Sequence, residues 1–175
     1  MTDRKVENVV GALALALSDA LHSSTQQEAP EPGPAASAIA LLHHEPGLTI
    51  EQLRRALRLS HPGTVRLVDR LTKDGLVERR ASAEDRRAVA LHLTSDGETS
   101  CAAILAARRT AVASALKILD QTERELLGRL ADKLLSGLTH TADNAYQTCR
   151  LCDRQACKSC PVDEALHGSV PKGFL

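Results

Sequence analysis

Near the start of the chain Val6, Val9, Val10, Leu13, Leu17 and Leu21 recur at three- and four-residue intervals, the spacing of an amphipathic helix. The apolar run from Val9 to Leu17 is too short to span a bilayer, and Glu7 and Asp19 bracket it. Arg4 and Lys5 ahead of it give a loose likeness to a secretory signal, but a soluble, cytoplasmic protein with no membrane partner is the expectation. Residues 22–34 are polar and contain Pro30, Pro32, Gly33 and Pro34, whose fixed φ and missing amide donors predict a connector. Residues 35–44 predict a short helix of Ala and Leu, closed by Glu45, Pro46 and Gly47. Thr49 and Gln52 make a capping-box pattern before Ile50, Leu53 and Leu57, in a helix that ends near Arg58. Ser60 is a second N-cap, Pro62 suits a first turn and Gly75 supplies a stop, so residues 61–74 predict another helix.

Two helices joined by a turn of about three residues are the arrangement of a helix-turn-helix. Residues 76–80 and 88–94 then predict two short strands, the second with Val89, Leu91 and Leu93 alternating against Ala88, Ala90 and His92. The polar hairpin 81–87 between them completes a winged helix. Past Ser95 the period is helical again. Cys101, Ile104, Leu105, Val112, Leu116 and Leu119 share one long helix, and Thr122 with Glu125 predicts a capping box before Leu126, Leu127, Leu130, Leu134 and Leu138. Such long apolar helices exceed what a small winged helix can cover. A two-fold dimer that also uses the first helix is the simplest partner surface, and a self-contained monomeric bundle is the alternative.

The expected fold class is therefore mainly α, a winged helix-turn-helix with a small β-hairpin wing and a helical dimerisation region. Its expected organisation is a dimerisation helix and linker over residues 1–34, and a DNA-binding unit over 35–95. Long dimerisation helices follow over 96–146, and a cysteine tail over 147–175. With one Tyr, one Phe and no Trp in 175 residues, Ala and Leu must build the interior, and stacking platforms for single-stranded nucleic acid are excluded.

Formal charge balances at 22 basic against 22 acidic residues, yet it is unevenly placed. Between residues 51 and 94 stand Arg54, Arg55, Arg58, Arg66, Arg70, Lys73, Arg79, Arg80, Arg86 and Arg87 against Glu51, Asp69, Asp74, Glu78, Glu84 and Asp85. The central unit is thus +4 and the remainder −4. A basic module on acidic scaffolding suits phosphate binding by counterion release, although solvated helix surface gives the same count. In the second helix Thr64, Leu67, Val68 and Leu71 fall on one side and Pro62, Arg66, Asp69, Arg70 and Lys73 on the other. Set in a major groove, Arg66 would read guanine, His61 would reach a base edge, Val65 would touch a thymine methyl and Gly63 would allow close approach. Arg70 and Lys73 are better placed for phosphates, unless Arg70 is held in a local salt bridge and Asp69 with Lys73 forms an i,i+4 pair. At the hairpin, Asp85 and Arg87 point the same way and can enter a minor groove together while Arg86 points elsewhere, or the three form a solubilising turn.

The run Leu59-Ser60-His61-Pro62-Gly63-Thr64-Val65-Arg66-Leu67-Val68-Asp69-Arg70-Leu71, followed by Asp74-Gly75-Leu76-Val77-Glu78-Arg79-Arg80, Asp85-Arg86-Arg87 and Leu93-Thr94, resembles the MarR family of bacterial transcriptional regulators over roughly residues 36–140. The resemblance implies a homodimer whose first and last helices form the dimer domain, with the two winged helices on successive major grooves of a pseudo-palindromic operator in double-stranded DNA. It implies a minor-groove role for Asp85 and Arg87, and regulation by small-molecule, phenolic or oxidant effectors. Pro62 and Gly63 depart from the small hydroxyl residues usual at the start of the family's recognition helix, which leaves base preference open.

Cys149, Cys152, Cys157 and Cys160 form C-x2-C-x4-C-x2-C, with Pro161 directly after. In a reducing cytosol structural disulfides are not expected, and two C-x2-C knuckles can present four thiolates to Zn²⁺. An iron–sulfur cluster is the rival, since all-thiolate ligation and a Cys-Pro ending occur there too, and reversible thiol chemistry is a third reading. Four thiolates would close the metal's coordination sphere, and the chain shows no paired general base, Ser/His/Asp signature or phosphate-cradling loop, so catalysis is not expected. Cys101 on an apolar helix face is expected to be packing, and His140 and His167 solvated rather than ligands. The expected function is a sequence-specific DNA-binding regulator, a homodimeric repressor relieved by a small-molecule, metal or redox signal. Its alternative is a metal-stapled module whose winged helix binds protein.

Overall fold

A computed structural model describes residues 2–81, 89–157 and 159–167. The first helix, α1, spans Asp3–Glu28, so residues 22–28, expected in the connector, are helical instead. Ser, Thr and Gln are compatible with a helix, and the first residue able to stop it is Pro30. Tertiary packing makes the extra turns worthwhile. Thr25 is buried with its hydroxyl donating to the Leu21 carbonyl at 2.8 Å, and Ser24 Oγ donates to the Ala107 carbonyl at 3.2 Å. The remaining connector folds back on the helix end: Gln26 Nε2 donates to the Gly33 carbonyl at 2.8 Å and its Oε1 accepts the Gly33 amide at 2.6 Å.

Helix α2, Ala35–His44, is the hub of the core, with Ala35, Ala36, Ala38, Ile39, Ala40, Leu41 and Leu42 all buried. Alanine on several of its sides lets neighbouring elements approach closely, which is how a core nearly without aromatics reaches full density. Around it lie α3 (Ile50–Leu57) and α4 (His61–Lys73). Thr49 caps α3 as expected, its Oγ1 accepting the Gln52 amide at 3.2 Å while Gln52 Oε1 accepts the Thr49 amide at 2.8 Å. The helix closes on Arg58, which adopts the left-handed conformation (φ 54°) more often given to glycine. Ser60 Oγ then accepts the Gly63 amide at 3.2 Å and opens α4.

Strand β1 (Val77–Ala81) pairs antiparallel with β2 (Val89–Leu93), placing Val77 opposite Leu93 and Arg79 opposite Leu91. The expected alternation along β2 does not hold: Val89 is exposed, whereas Ala90 and Leu91 are both buried. The reason is a second neighbour. Residues 47–49 run along the other edge of β2, with the Gly47 amide on the Leu91 carbonyl at 2.8 Å, the Leu91 amide on the Leu48 carbonyl at 3.0 Å and Thr49 bridged to Ala90.

Helix α5, Ser95–Leu116, lies along α1 and covers α2, burying Cys101 and Ile104. It ends before Leu119, which was expected on it. Near its start a side chain at Gly97 would meet the Leu76 carbonyl oxygen at 2.1 Å, so the helix rests directly on the hairpin backbone. Helix α6, Gln121–Leu138, is capped by Asp120 with Glu123 rather than by Thr122 with Glu125. Asp120 Oδ1 accepts the Glu123 amide at 2.9 Å and Glu123 Oε2 accepts the Asp120 amide at 3.0 Å. Asp120 stands in extended backbone just ahead of the first turn, the geometry an N-cap needs, while Thr122 is already inside the helix.

Within its described residues the tail carries docked helices. Helix α7, Ala142–Cys149, packs against α3, and α8, Pro161–His167, packs against α6 and α7. Ala145 and Val162 form a small second core with Leu135, Cys149 and Cys160, while Tyr146 and Leu151 pack on the main core.

Candidate nucleic-acid interface and cysteine cluster

Because Thr64, Leu67, Val68 and Leu71 are buried, the opposite side of α4 faces outward, with His61, Pro62, Arg66, Asp69, Arg70 and Lys73 exposed and Gly63 and Val65 half-buried. Each expected reading residue on this helix is therefore on or beside one open face. Electrostatics divides them. Arg66 and Lys73 have no ion pair among the described residues, so their charges are available. Arg70 is instead held by Glu31 of the connector in a two-pronged pair, Nη2 to Oε1 at 2.8 Å and Nε to Oε2. This hydrogen bond raises its already high pKa. Asp69 does not pair with Lys73; its Oδ1 accepts from Arg79 Nη2 at 2.6 Å, tying α4 to β1. A strand guanidinium presents two donors in a fixed plane and outcompetes a flexible lysine one turn away.

Gly63 has a local role as well: an added Cβ would lie 3.1 Å from Ser60 Oγ, crowding the cap. Asp85, Arg86 and Arg87 lie outside the described residues. Of the wing, Arg79 and Arg80 are exposed on β1, the latter paired with Glu78. Glu31 was not anticipated from the sequence. It is 39 residues from Arg70, and no local spacing links them.

Glu31→Gln is expected to free Arg70 for a phosphate. Binding titrations on duplex DNA across salt concentrations should then steepen by about 0.9 in the log–log slope. An unchanged slope would place Arg70 away from the duplex.

A second group of residues gathers behind the helix-turn-helix. Cys149, Cys152, Cys157 and Cys160 all line one cavity of about 220 Å³ between α2, α5, α6, α7 and α8. All five cysteines of the chain are free thiols, Cys157 is exposed, and Cys149, Cys152 and Cys160 are half-buried. Among the described residues no three of His, Cys, Asp and Glu stand together so as to hold a metal ion. Cys149 donates its S–H to Cys152, which with Arg108, Arg154 and Arg150 pulls the Cys152 thiol down to about 6, and Cys149 is pushed up in turn. Cys101, expected as packing, is buried, and desolvation pushes its thiol up to about 12. His44 Nε2 donates to the Cys152 carbonyl, and burial lowers its pKa, so the ring is neutral. Arg154, between the two cysteine pairs, bonds Glu45 after α2 and lies 3.7 Å from Asp163 on α8.

A capped helix-turn-helix with an outward second helix, followed by an antiparallel hairpin, defines a winged helix-turn-helix protein. The model described as "MarR family" matches residues 32–88, which run from the connector to just before β2. The transcriptional repressor MprA of Escherichia coli (strain K12) is 34% identical over 87 residues, 50% of this chain and 49% of that protein. The HTH-type transcriptional regulator PetP of Rhodobacter capsulatus is 40% identical over 60 residues, 34% of this chain and 36% of that protein. The chain thus spans half or less of the curated relatives it matches, and they are named as transcriptional regulators rather than enzymes. Among solved structures, a MarR family protein from Bacillus stearothermophilus is similar at a TM-score of 0.65 and 26% identity, covering 77% of this chain and 95% of that one. Wild-type MarR from E. coli in its apo form gives 0.60 and 21%, covering 71% and 96%, which bears on the fold alone.

Proposed function

We propose that the chain is a DNA-binding transcriptional regulator, a homodimeric repressor that places α4 in the major groove of a pseudo-palindromic operator. The observation that carries this reading is the open face of α4, on which Arg66 and Lys73 form no ion pair among the described residues. Arg66 in the second turn reads a base edge, Lys73 at the far end holds a phosphate, and His61, Pro62, Gly63 and Val65 form the leading edge that meets the groove floor. Arg70 contributes less than a free cation because Glu31 already neutralises it.

Support for pairing comes from apolar surface. Val9, Val10, Leu13 and Leu15 on α1, and Leu126, Leu130, Leu134 and Leu138 on α6, are exposed in the single chain, with Leu138 at 71%. No residue of α6 is buried at all. Two apolar faces of this size call for a covering surface, and a second copy of the same helices supplies it with two-fold symmetry. The wing residues Asp85 and Arg87 take the minor-groove role that the family resemblance implies. Among the described residues no helix is long and apolar enough to cross a membrane, in keeping with action on DNA in the cytoplasm.

The test is selection of binding sites from random duplexes, followed by titration of variants. Arg66→Ala is expected to relax preference at one base position, at a cost of about 1–3 kcal/mol. Arg70→Ala should weaken all sequences evenly and by less. Equal, sequence-independent losses would refute this division of roles. Failure of the unmodified protein to bind any duplex would favour the protein-binding alternative.

A further inference from the structure

The four cysteines of the tail are spaced as two C-x2-C knuckles, and the fold sets each knuckle on its own helix end. Cys149 closes α7, and a turn with the Cys152 amide on the Cys149 carbonyl at 2.9 Å brings Cys152 round. Cys160 stands at the start of α8, where its carbonyl accepts the Glu164 amide at 2.9 Å. Both knuckles open into the same cavity of about 220 Å³, and Cys149 and Cys160 already pack against the same two buried residues, Ala145 and Val162. Four sulfur donors suit a soft or borderline cation, and without redox chemistry or a preferred d-electron geometry Zn²⁺ accepts the tetrahedron that such knuckles present. A tetrathiolate zinc site carries two net negative charges. Arg108 at the cavity wall, with no ion pair among the described residues, offsets one of them, while Arg154 there is already shared with Glu45.

We propose that Cys149, Cys152, Cys157 and Cys160 bind one Zn²⁺ ion per chain, and that the bound ion fixes the posture of the helix-turn-helix through α7. The exposed Cys157 is the ligand that must swing in, so binding and the inward movement of Cys157 are one event. That loop is moored to the reading unit at separate points: Arg154 to Glu45, the Cys152 carbonyl to His44 Nε2, and α7 against α3. Drawing the knuckles together therefore pulls on the end of α2 and on α3, whose turn leads directly into α4. The second half of the proposal rests on the DNA-binding reading; the first half does not.

The experiment uses the full chain, reduced, stripped with chelator and titrated with Zn²⁺ and, separately, Co²⁺. Expected are about one Zn²⁺ per chain by elemental analysis, and the intense visible absorption of tetrahedral cobalt thiolate with Co²⁺. In the stripped protein four thiols should react with a disulfide reagent and Zn²⁺ should protect all four, while buried Cys101 reacts only on unfolding. Cys157→Ser combined with Cys160→Ser should abolish stoichiometric binding. Sub-stoichiometric Zn²⁺, retention of the metal by that variant, or a native iron chromophore would overturn the site. Hydrogen exchange of α3 amides is expected to slow on Zn²⁺ addition, with no DNA present, and operator affinity to change by about fivefold or more. Metal bound with α3 exchange unaltered would overturn the coupling. Slowed exchange without any operator binding would instead sink the DNA-binding reading and leave the site standing.

Discussion

Gly97→Ala is expected to destabilise the protein by about 3 kcal/mol. A Cβ there would lie 2.1 Å from the Leu76 carbonyl oxygen and 3.2 Å from Leu93 Cβ. That carbonyl is also the acceptor for the Thr94 amide at 3.0 Å, so it cannot retreat without breaking the junction between hairpin and helix. Nor can the helix easily move, since the Gly97 amide is fixed by Thr94 Oγ1 at 3.1 Å. Thermal unfolding followed by circular dichroism should show a midpoint lowered by roughly 6–12 °C. Gly128→Ala on α6, where an added Cβ has nothing within 4 Å, is the matched control. It should raise stability by about 1 kcal/mol through helix propensity alone. Equal melting points for the two variants would show that the hairpin yields freely.

Leu130→Asp combined with Leu134→Asp is expected to convert a dimer into a folded monomer and to weaken operator binding by about 100-fold or more, as bivalent attachment is lost. Both side chains are more than half exposed in the single chain, at 51% and 59%, so their replacement removes no intrachain core. Sedimentation equilibrium reads the mass and circular dichroism the retained helix content. A dimer that survives both charges would remove α6 from the interface and leave α1 to form it.

The reading unit was legible because its signals are local. Thr49 with Gln52, Ser60 before Pro62, and Gly75 are start and stop marks acting within a few residues, and the faces of α4 follow from its own spacing. What escaped was decided at a distance. The sequence pattern ends α1 at residue 21 because it weighs polarity, whereas Ser24 stays helical by bonding to α5 and Thr25 by burial with its hydroxyl turned back onto the Leu21 carbonyl. Ala90 is inward because residues 47–49 lie along β2, a neighbour that period-two reasoning within one strand cannot see. On α4 the exposure of Arg66 and Lys73 follows from helical spacing, but the partners of Arg70 and Asp69 come from the connector and from β1, 39 and 10 residues away. The cysteine spacing was plain from the sequence. That the tail doubles back onto α2 and α3 was not, since His44, Glu45 and Arg154 carry no mark of one another.

The connector between α1 and α2 bears on how force would travel through a dimer. Two clasps hold it, Gln26 of α1 to Gly33 near its far end and Glu31 in its middle to Arg70, so six residues rich in proline act as a stiff strut rather than a slack tether. A rotation imposed on α1 by a second copy would arrive at the outer face of α4, at Arg70, as a push, with little of the displacement absorbed along the way.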